Sequence, residues 1–324
     1  MPDTNSIELK LICLSKAKVF LLVLVFLNFG NRFVFAAPCC AGAGAIPALI
    51  TDDSKAQGSF TSSYGAVIGD APDKGIPVFR SKTSSEVTYT NTIELSHIFF
   101  ERFQGGVSVP VVTRTISKKE KEAAQTGLGD TRVSVGYEAI PEWSYSKLRP
   151  KVILFSQATL ATGVSIYETK TVFTEDVTGR GFNSIGLGGV VMKTFYSFRN
   201  PWDVYFLTEA HKGFLRNFQT IKVDPAWGAT AGVGVGKSFM TTYPLRVGLR
   251  VQPVYGAGKK IESSYGVTNA SYQFNFDIAL EAALQINDEL KISGTYTDQT
   301  LLGPAVNTTL SRTIALMARY SWQR

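Results

Sequence analysis

The chain has 324 residues, 33 Lys+Arg, 26 Asp+Glu and 2 His, for a formal net charge of +7. Charged residues at 18% and aromatics at 12% exclude a charge-driven disordered chain, and two His with three Cys exclude a Cys/His-rich zinc scaffold. Past residue 40 no apolar run approaches the roughly 18 residues that a membrane helix requires. The basic residues are scattered, so nucleic acid is not an expected partner.

The first 36 residues read as an address. Lys10, Lys16 and Lys18 precede an apolar stretch over 19–29, and Val34-Phe35-Ala36 closes it. A basic start, a short apolar centre and a small-residue exit predict a secretory signal peptide, 1–36, cleaved after Ala36. Asn28, Gly30, Asn31 and Arg32 interrupt the end of the run, which disfavours an anchor. Cys13 leaves with the signal. Cys39-Cys40 then face an oxidising compartment, where adjacent cysteines close a small strained ring, pair with another chain or stay reduced. Residues 37–57, rich in small residues and holding Pro38 and Pro47, fit no strand. They predict an extended N-terminal segment, lying in the periplasm or threading the lumen as a partial plug.

From there the sequence alternates with period two. In 272–286, Tyr272, Phe274, Phe276, Ile278, Leu280, Ala282, Leu284 and Ile286 are apolar, and Gln273, Asn275, Asp277, Glu281 and Gln285 lie between them. A strand sends alternate side chains to opposite faces, so one face here is apolar and the other polar. The segment is longer than the modal strand of about 5–6 residues and exceeds the roughly 9–11 tilted residues that cross a bilayer. The same pattern marks 86–99, 103–115, 131–139, 245–255 and 312–322. It is weaker in 59–69, 151–161, 182–197, 203–214, 228–239 and 290–299. Twelve strands result. Short connections at 100–102, 141–150, 199–202, 241–244 and 287–289 alternate with long polar ones at 70–84, 116–127, 163–181, 215–227, 257–270 and 300–309.

Two architectures share this alternation and invert it. A sandwich turns the apolar face into a core; a membrane barrel turns it to lipid and keeps the polar face in the lumen. Long strands, aromatics at strand ends and charges on the polar face of many strands favour the second. The expected fold is therefore all-β, a closed antiparallel transmembrane β-barrel of about twelve strands over 58–324. Parity places Glu86, Glu94, Arg114, Arg132, Glu138, Arg246, Arg250, Asp277, Glu281, Lys291 and Arg319 in the lumen. On the lipid face an Arg or Lys at mid-depth costs about 2–4 kcal/mol, which enforces the assignment. These charges either fill the interior as cross-strand pairs or line a selective passage; twelve strands fall between packed eight-stranded barrels and open porins of roughly 16–18.

Other motifs read as barrel wall. The run from Ala231 to Ser238, with Gly232, Gly234, Gly236 and Lys237, nearly spells a phosphate-binding loop but starts on Ala and continues as strand. Gly186, Gly188 and Gly189 lack the helix of a dinucleotide fingerprint. Lys118 to Glu122 reads as a solvated loop. His97 shares parity with Leu95 and Phe99 and is expected lipid-side; His211 shares parity with Glu209 and is expected in the lumen. With no Gly-x-Ser-x-Gly elbow, no catalytic, metal-binding or cofactor-binding residue is assigned.

Gly127-Leu128-Gly129-Asp130 followed by Val133, Val135 and Tyr137, then Leu160-Ala161-Thr162-Gly163, then Thr178-Gly179-Arg180-Gly181, resemble strand openings and ends of an outer-membrane family linked to the meta-cleavage pathway of phenol degradation and akin to channels for hydrophobic compounds. The match covers about 126–215, with Ala161 where that family prefers Pro. The resemblance implies an outer-membrane location in a Gram-negative bacterium and passage of small, apolar solutes. The expected partners are outer-membrane lipid, the barrel-assembly and periplasmic chaperone machinery and an unidentified solute. A non-transporting barrel that displays its loops is the alternative, an outer-membrane hydrolase the remoter one.

Overall fold

The computed structural model describes residues 48–72, 76–81, 84–118, 121–142, 146, 148–196, 200–219, 221–264 and 266–323. The signal-peptide reading and Cys39-Cys40 lie outside them. The described residues form strands and no helix: β1 (Ser54–Ala71), β2 (Val78–Phe79), β3 (Ser84–Phe99), β4 (Phe103–Lys118), β5 (Lys121–Leu128), β6 (Thr131–Ile140), β7 (Lys151–Leu160), β8 (Ser184–Phe195), β9 (Trp202–Gly213), β10 (Arg216–Phe218), β11 (Ile221–Asp224), β12 (Trp227–Phe239), β13 (Leu245–Gly256), β14 (Lys260–Ser263), β15 (Gly266–Asn269), β16 (Gln273–Gln285), β17 (Leu290–Asp298) and β18 (Thr308–Gln323).

Twelve of these make one antiparallel barrel, in the order β1-β3-β4-β6-β7-β8-β9-β12-β13-β16-β17-β18. The wall closes where β1 pairs with β18, from Ser54–Gln323 to Ala71–Thr308, with irregularities at Ser54/Ala56 and Val67/Gly69. Closure leaves no edge of unpaired N–H and C=O groups, the condition for spanning hydrocarbon. All five short connections lie at one rim with the start of β1 and the end of β18; the long ones lie at the other.

The faces are inverted relative to a soluble sandwich. Leu280 is 56% exposed and its neighbour Glu281 6%. Val247 and Leu249 are exposed while Arg246 and Arg250 are buried, and Leu95, Val135, Val233, Ile314 and Leu316 are all exposed. Gln57, Thr61, Gln104, Ser134 and Ser293 are buried inside the wall. Aromatic rings gather near both rims. Phe103 lies 4.8 Å from Tyr137, Phe195 stacks 4.1 Å from Trp202 and Tyr320 meets Trp322 at 4.9 Å near the short-turn rim. Trp227, Tyr255 and Tyr272 form a row near the other, at 5.2 and 6.0 Å. Such belts match the interfacial zones of a bilayer.

Four details differ from the sequence-based expectation. The first strand begins at Ser54 rather than near 58, because the backbone of 54–57 finds partners on β18. The stretch 116–127 is no loop: β4 runs on to Lys118 and pairs with β5, with the hydroxyls of Thr113 and Thr126 2.8 Å apart. β5 is largely exposed on both faces, so it carries no alternation to read. The loops over 215–227 and 257–270 hold a second sheet, β10-β11-β14-β15. Finally, β7, β8 and β9 carry apolar residues on both faces. Ile153, Phe155, Val190, Met192 and Leu207 point inward and are buried, so apolar side chains fill the interior on that side.

Leu280→Arg, on the outer face, is expected to lower the stability of vesicle-inserted protein by about 2–4 kcal/mol in reversible denaturant unfolding. A cost near zero would show that this face does not meet hydrocarbon.

Candidate functional site

The interior has a filled floor toward the short-turn rim and an open cavity toward the loops. One side of the floor is an ionic network. Arg246 forks onto Asp203 with Nε and Nη2 at 2.8 and 2.7 Å and reaches Glu281 with Nη1 at 3.1 Å. The Tyr205 hydroxyl donates to Glu281 at 3.1 Å, and Arg250 lies 3.5 Å from the same carboxylate. These bidentate, charge-assisted bonds are the strong class. The glycine run on β12 explains itself here: a Cβ on Gly234 would strike the Tyr205 ring and one on Gly236 the Arg246 guanidinium. Two of the three glycines of the phosphate-loop look-alike, Gly234 and Gly236, are clearance for these side chains.

Residues 48–52 make the rest of the floor. Ala48, Leu49, Ile50 and Thr51 are buried inside the barrel. Their backbone polar groups are met by the wall: the Ile50 N–H donates to Gln104 Oε1 at 2.5 Å, Gln57 Nε2 donates to the Leu49 carbonyl at 3.0 Å, and Ser96 donates to the Ala48 carbonyl at 2.8 Å. Leu49 packs into the cluster of Ile153, Phe155, Val190, Met192, Tyr205 and Leu207. Lys291 and Arg319 are directly paired neighbours on β17 and β18, where like charges repel. Asp52 offsets them, interacting with both and accepting from Arg319 at 3.1 Å. Across the lumen Lys151 is 3.3 Å from Glu138.

Above the floor lies a cavity of about 710 Å³ lined by Ser, Thr and Gly from most of the wall, by Glu86, Arg114, Arg132, Gln157, Glu209 and His211, and by 177–180 and Phe182 from the β7–β8 loop. That loop is bent inward and held from two sides. On one side Asp130, at the corner between β5 and β6, accepts the Gly163 N–H at 3.1 Å and the Arg180 N–H at 2.6 Å. Thr162 and Thr178 donate to the carbonyls of Gly129 and Leu128 at 2.5 and 2.7 Å. The three stretches that carried the family resemblance therefore meet at one knot. Its glycines are sites of close approach: a Cβ on Gly163 would sit 2.8 Å from the Gly179 Cα, and Gly181 has φ +74, open to glycine at little cost. On the other side Arg216 donates to the Gly181 carbonyl and to Glu168, both at 2.6 Å. Phe218 stands 5.2 Å from Tyr167 and 5.5 Å from Phe182. The second sheet, through β10, is the outer clamp of this loop.

The structure groups the sequence-predicted lumen residues into separate sets. Arg246, Arg250 and Glu281 share the floor network. Glu138, Lys291 and Arg319 lie around residues 48–52. Glu86 pairs with Arg114 at 2.5 Å and with Arg80 at 2.8 Å near the loop rim, while Arg132 faces the cavity. Asp277 accepts from Asn275 and Gln299 at 2.8 and 2.9 Å, and Glu94 accepts from Ser59 at 3.1 Å. His97 is exposed on the outer face against Phe99, whereas His211 lines the cavity, so the two cannot serve one centre. Sequence parity missed Asp130, Asp203, Lys151, Arg180 and Arg216. Asp203 and Lys151 share the inward parity of Tyr205 and Ile153, which weak alternation hid. Asp130, Arg180 and Arg216 stand at a corner, in a loop and in the second sheet, where parity has no meaning.

No protein-family model and no curated protein matches the sequence. Among solved structures, the fold is similar to a COG4313 outer membrane channel from Pseudomonas putida F1, with TM-score 0.63 and 10% identity over 87% of this chain and 100% of that one. The transport unit of the autotransporter AIDA-I from Escherichia coli matches at TM-score 0.46 and 10% identity over 84% and 91%. A deletion mutant of the TodX monoaromatic hydrocarbon channel matches at 0.40 and 11% over 85% and 91%. The first similarity is one of fold and agrees with the closed antiparallel barrel described above.

Asp130→Ala removes both acceptors that hold 163 and 180. Amide exchange over 163–180 is expected to speed up at least about ten-fold, as befits loss of about 1.5–3 kcal/mol of charge-assisted bonding, with the barrel strands unchanged; unaltered exchange would show that the knot is not held there. In the same loop, burial alone would raise the Asp176 carboxyl, but the Thr169 hydroxyl, the Lys170 N–H and the Thr171 hydroxyl together hold it below the ordinary carboxylate value. A depressed folded pKa stabilises above the unfolded value of about 3.9 and is lost as pH falls below it. The protection of the amides over 169–176, taken relative to their intrinsic exchange rate, should therefore fall below about pH 4 and fall at neutral pH in Asp176→Asn.

Proposed function

We propose that the chain is an outer-membrane pore for small solutes, shut at rest on its short-turn side by residues 48–52. The observation that carries this reading is a closed barrel with an apolar outer belt around a polar cavity that ends on a floor built partly from its own N-terminal segment. A wall without edges and with aromatics at both rims suits an outer membrane. The similarity to the Pseudomonas putida channel supports the fold on which the reading rests. The interior lining, rich in hydroxyls and charge, favours polar solutes over the apolar ones implied by the family resemblance, because an apolar solute gains little on leaving water for such a wall.

The floor segment is held by bonds that a competing charge or bulk removes. Leu49→Asp puts a charge into an apolar cluster, at a cost of several kcal/mol if it stays there. Gly136→Val crowds Leu49 from the wall side, since a Cβ at Gly136 already comes 2.8 Å from Leu49 Cδ2. In planar bilayers the unaltered protein should show small, infrequent openings, and both variants a conductance at least about three-fold larger, as an opened floor allows. Bilayers sealed at all voltages for all three proteins would overturn the pore reading and favour a barrel that only displays its loops.

A further inference from the structure

We infer that the cavity is a binding site for a neutral polyhydroxylated solute of sugar size, held by the arc of wall that runs from β7 to β13. The inference deepens the pore reading by naming the solute class, and it stands on which polar groups of the lining are already engaged. The charges engage one another. Glu86 pairs with Arg114 and Arg80, Arg180 interacts with Asp130 and Glu209, and Glu209 interacts with Arg132 as well. Three arginines thus stand against three carboxylates, and the lining offers an ionic solute no excess of either sign.

Hydrogen-bonding groups on β7, β8, β9, β12 and β13, successive strands of the wall, are in a different state. Gln157 on β7 and Gln252 on β13 line the cavity, are both more than nine-tenths buried, and each has a side-chain oxygen without a hydrogen-bond partner among the described residues. Register sets Gln157, Gly186 and His211 in one row across β7, β8 and β9. Glu209 leans over the bare Gly186, where a Cβ would come 2.8 Å from its Oε1. His211 Nδ1 stands 3.9 Å from the same oxygen, too far for a hydrogen bond. An amide, a carboxylate and an imidazole therefore lie side by side, with Thr159, Ser184 and Thr230 also in the lining. Leaving buried polar groups unpaired is unfavourable. The last torsion of a Gln side chain is broad, so its amide can turn either its oxygen or its N–H groups to a solute. A hydroxyl donates and accepts at once, so several hydroxyls on one ring suit this mixture better than a carboxylate or an apolar body does. Phe182 lines the same cavity and can lie against the C–H face of such a ring. The volume of about 710 Å³ falls within the range of roughly 300–1,000 Å³ usual for small-molecule sites.

The test is a ligand-observed NMR titration of the folded full chain in a detergent that has no sugar headgroup. Methyl glucoside is the probe. Methyl glucuronide, with a carboxylate in place of the CH2OH group, is its charged counterpart, and cyclohexanol is a ring of similar size with one hydroxyl. Methyl glucoside should bind saturably, methyl glucuronide no more tightly, and cyclohexanol at least about ten-fold more weakly, as a site built to bond hydroxyls discriminates. Gln157→Leu and Gln252→Leu should each weaken methyl glucoside at least about five-fold, the effect of losing one hydrogen bond. Ser293→Ala, on the wall outside the cavity, should leave it unchanged. Heat-modifiable migration on a denaturing gel checks that each variant is folded, and the three ligands decide the matter on the unaltered protein should a variant not fold. No saturable binding of methyl glucoside, tighter binding of the glucuronide, equal binding of cyclohexanol, or undiminished binding by either folded Leu variant would each overturn the inference. Binding is read without transport, so methyl glucoside binding in a protein that never conducts would sink the pore reading and leave this one standing.

Discussion

The pairing of β1 with β18 is the constraint on which the rest depends. Once the wall closes, each of the twelve strands pairs with a neighbour on both sides, with irregularities on β1 and β6, and the side chains have only two destinations. Those on the outside meet whatever surrounds the barrel, and here they are Leu, Val, Ile and aromatic. Those on the inside share a confined volume, and here they are largely polar. A soluble two-layer protein of the same alternation buries its apolar face; exposure of Leu280, Leu249 and Leu316 with burial of Glu281, Arg250 and Arg319 shows that this chain does the reverse.

Charges turned into a confined interior cannot stay unpaired, because desolvation of a lone ion costs more than any one contact returns. The barrel answers this by grouping. Arg246 sits between Asp203 and Glu281, Lys151 beside Glu138, and the adjacent cations Lys291 and Arg319 share Asp52. The last case matters most for function, since the counter-ion comes from the segment that enters the lumen rather than from the wall. Removing that segment would expose two neighbouring cations and an apolar cluster together, which makes its seat specific.

The loop end follows a different logic. The β7–β8 loop crosses the interior between two clamps, one at the Asp130 corner and one at Arg216 and Phe218 of the second sheet. Neither clamp belongs to the twelve wall strands, yet together they hold Arg180 and Gly181 beside the cavity. The strand β5 and the second sheet, though not among the wall strands, thus shape the interior.

Much of this was legible in residue order. Alternation located the twelve strands to within a few residues, and parity separated Leu280 from Glu281 and Leu249 from Arg250, because a side chain's face on a strand is a local property. It failed where that local rule lapses. β5 is exposed on both sides and reads as loop; β7, β8 and β9 are apolar on both sides because Leu49, distant in sequence, covers their inner face. The sequence by itself therefore determined the wall, its closure-ready strand number and the direction of its charges. Only the tertiary structure decided what stands inside it, since the meeting of Asp130 with Gly163 and Arg180, and of Asp52 with Arg319, joins residues dozens to hundreds of positions apart that no period in the chain connects.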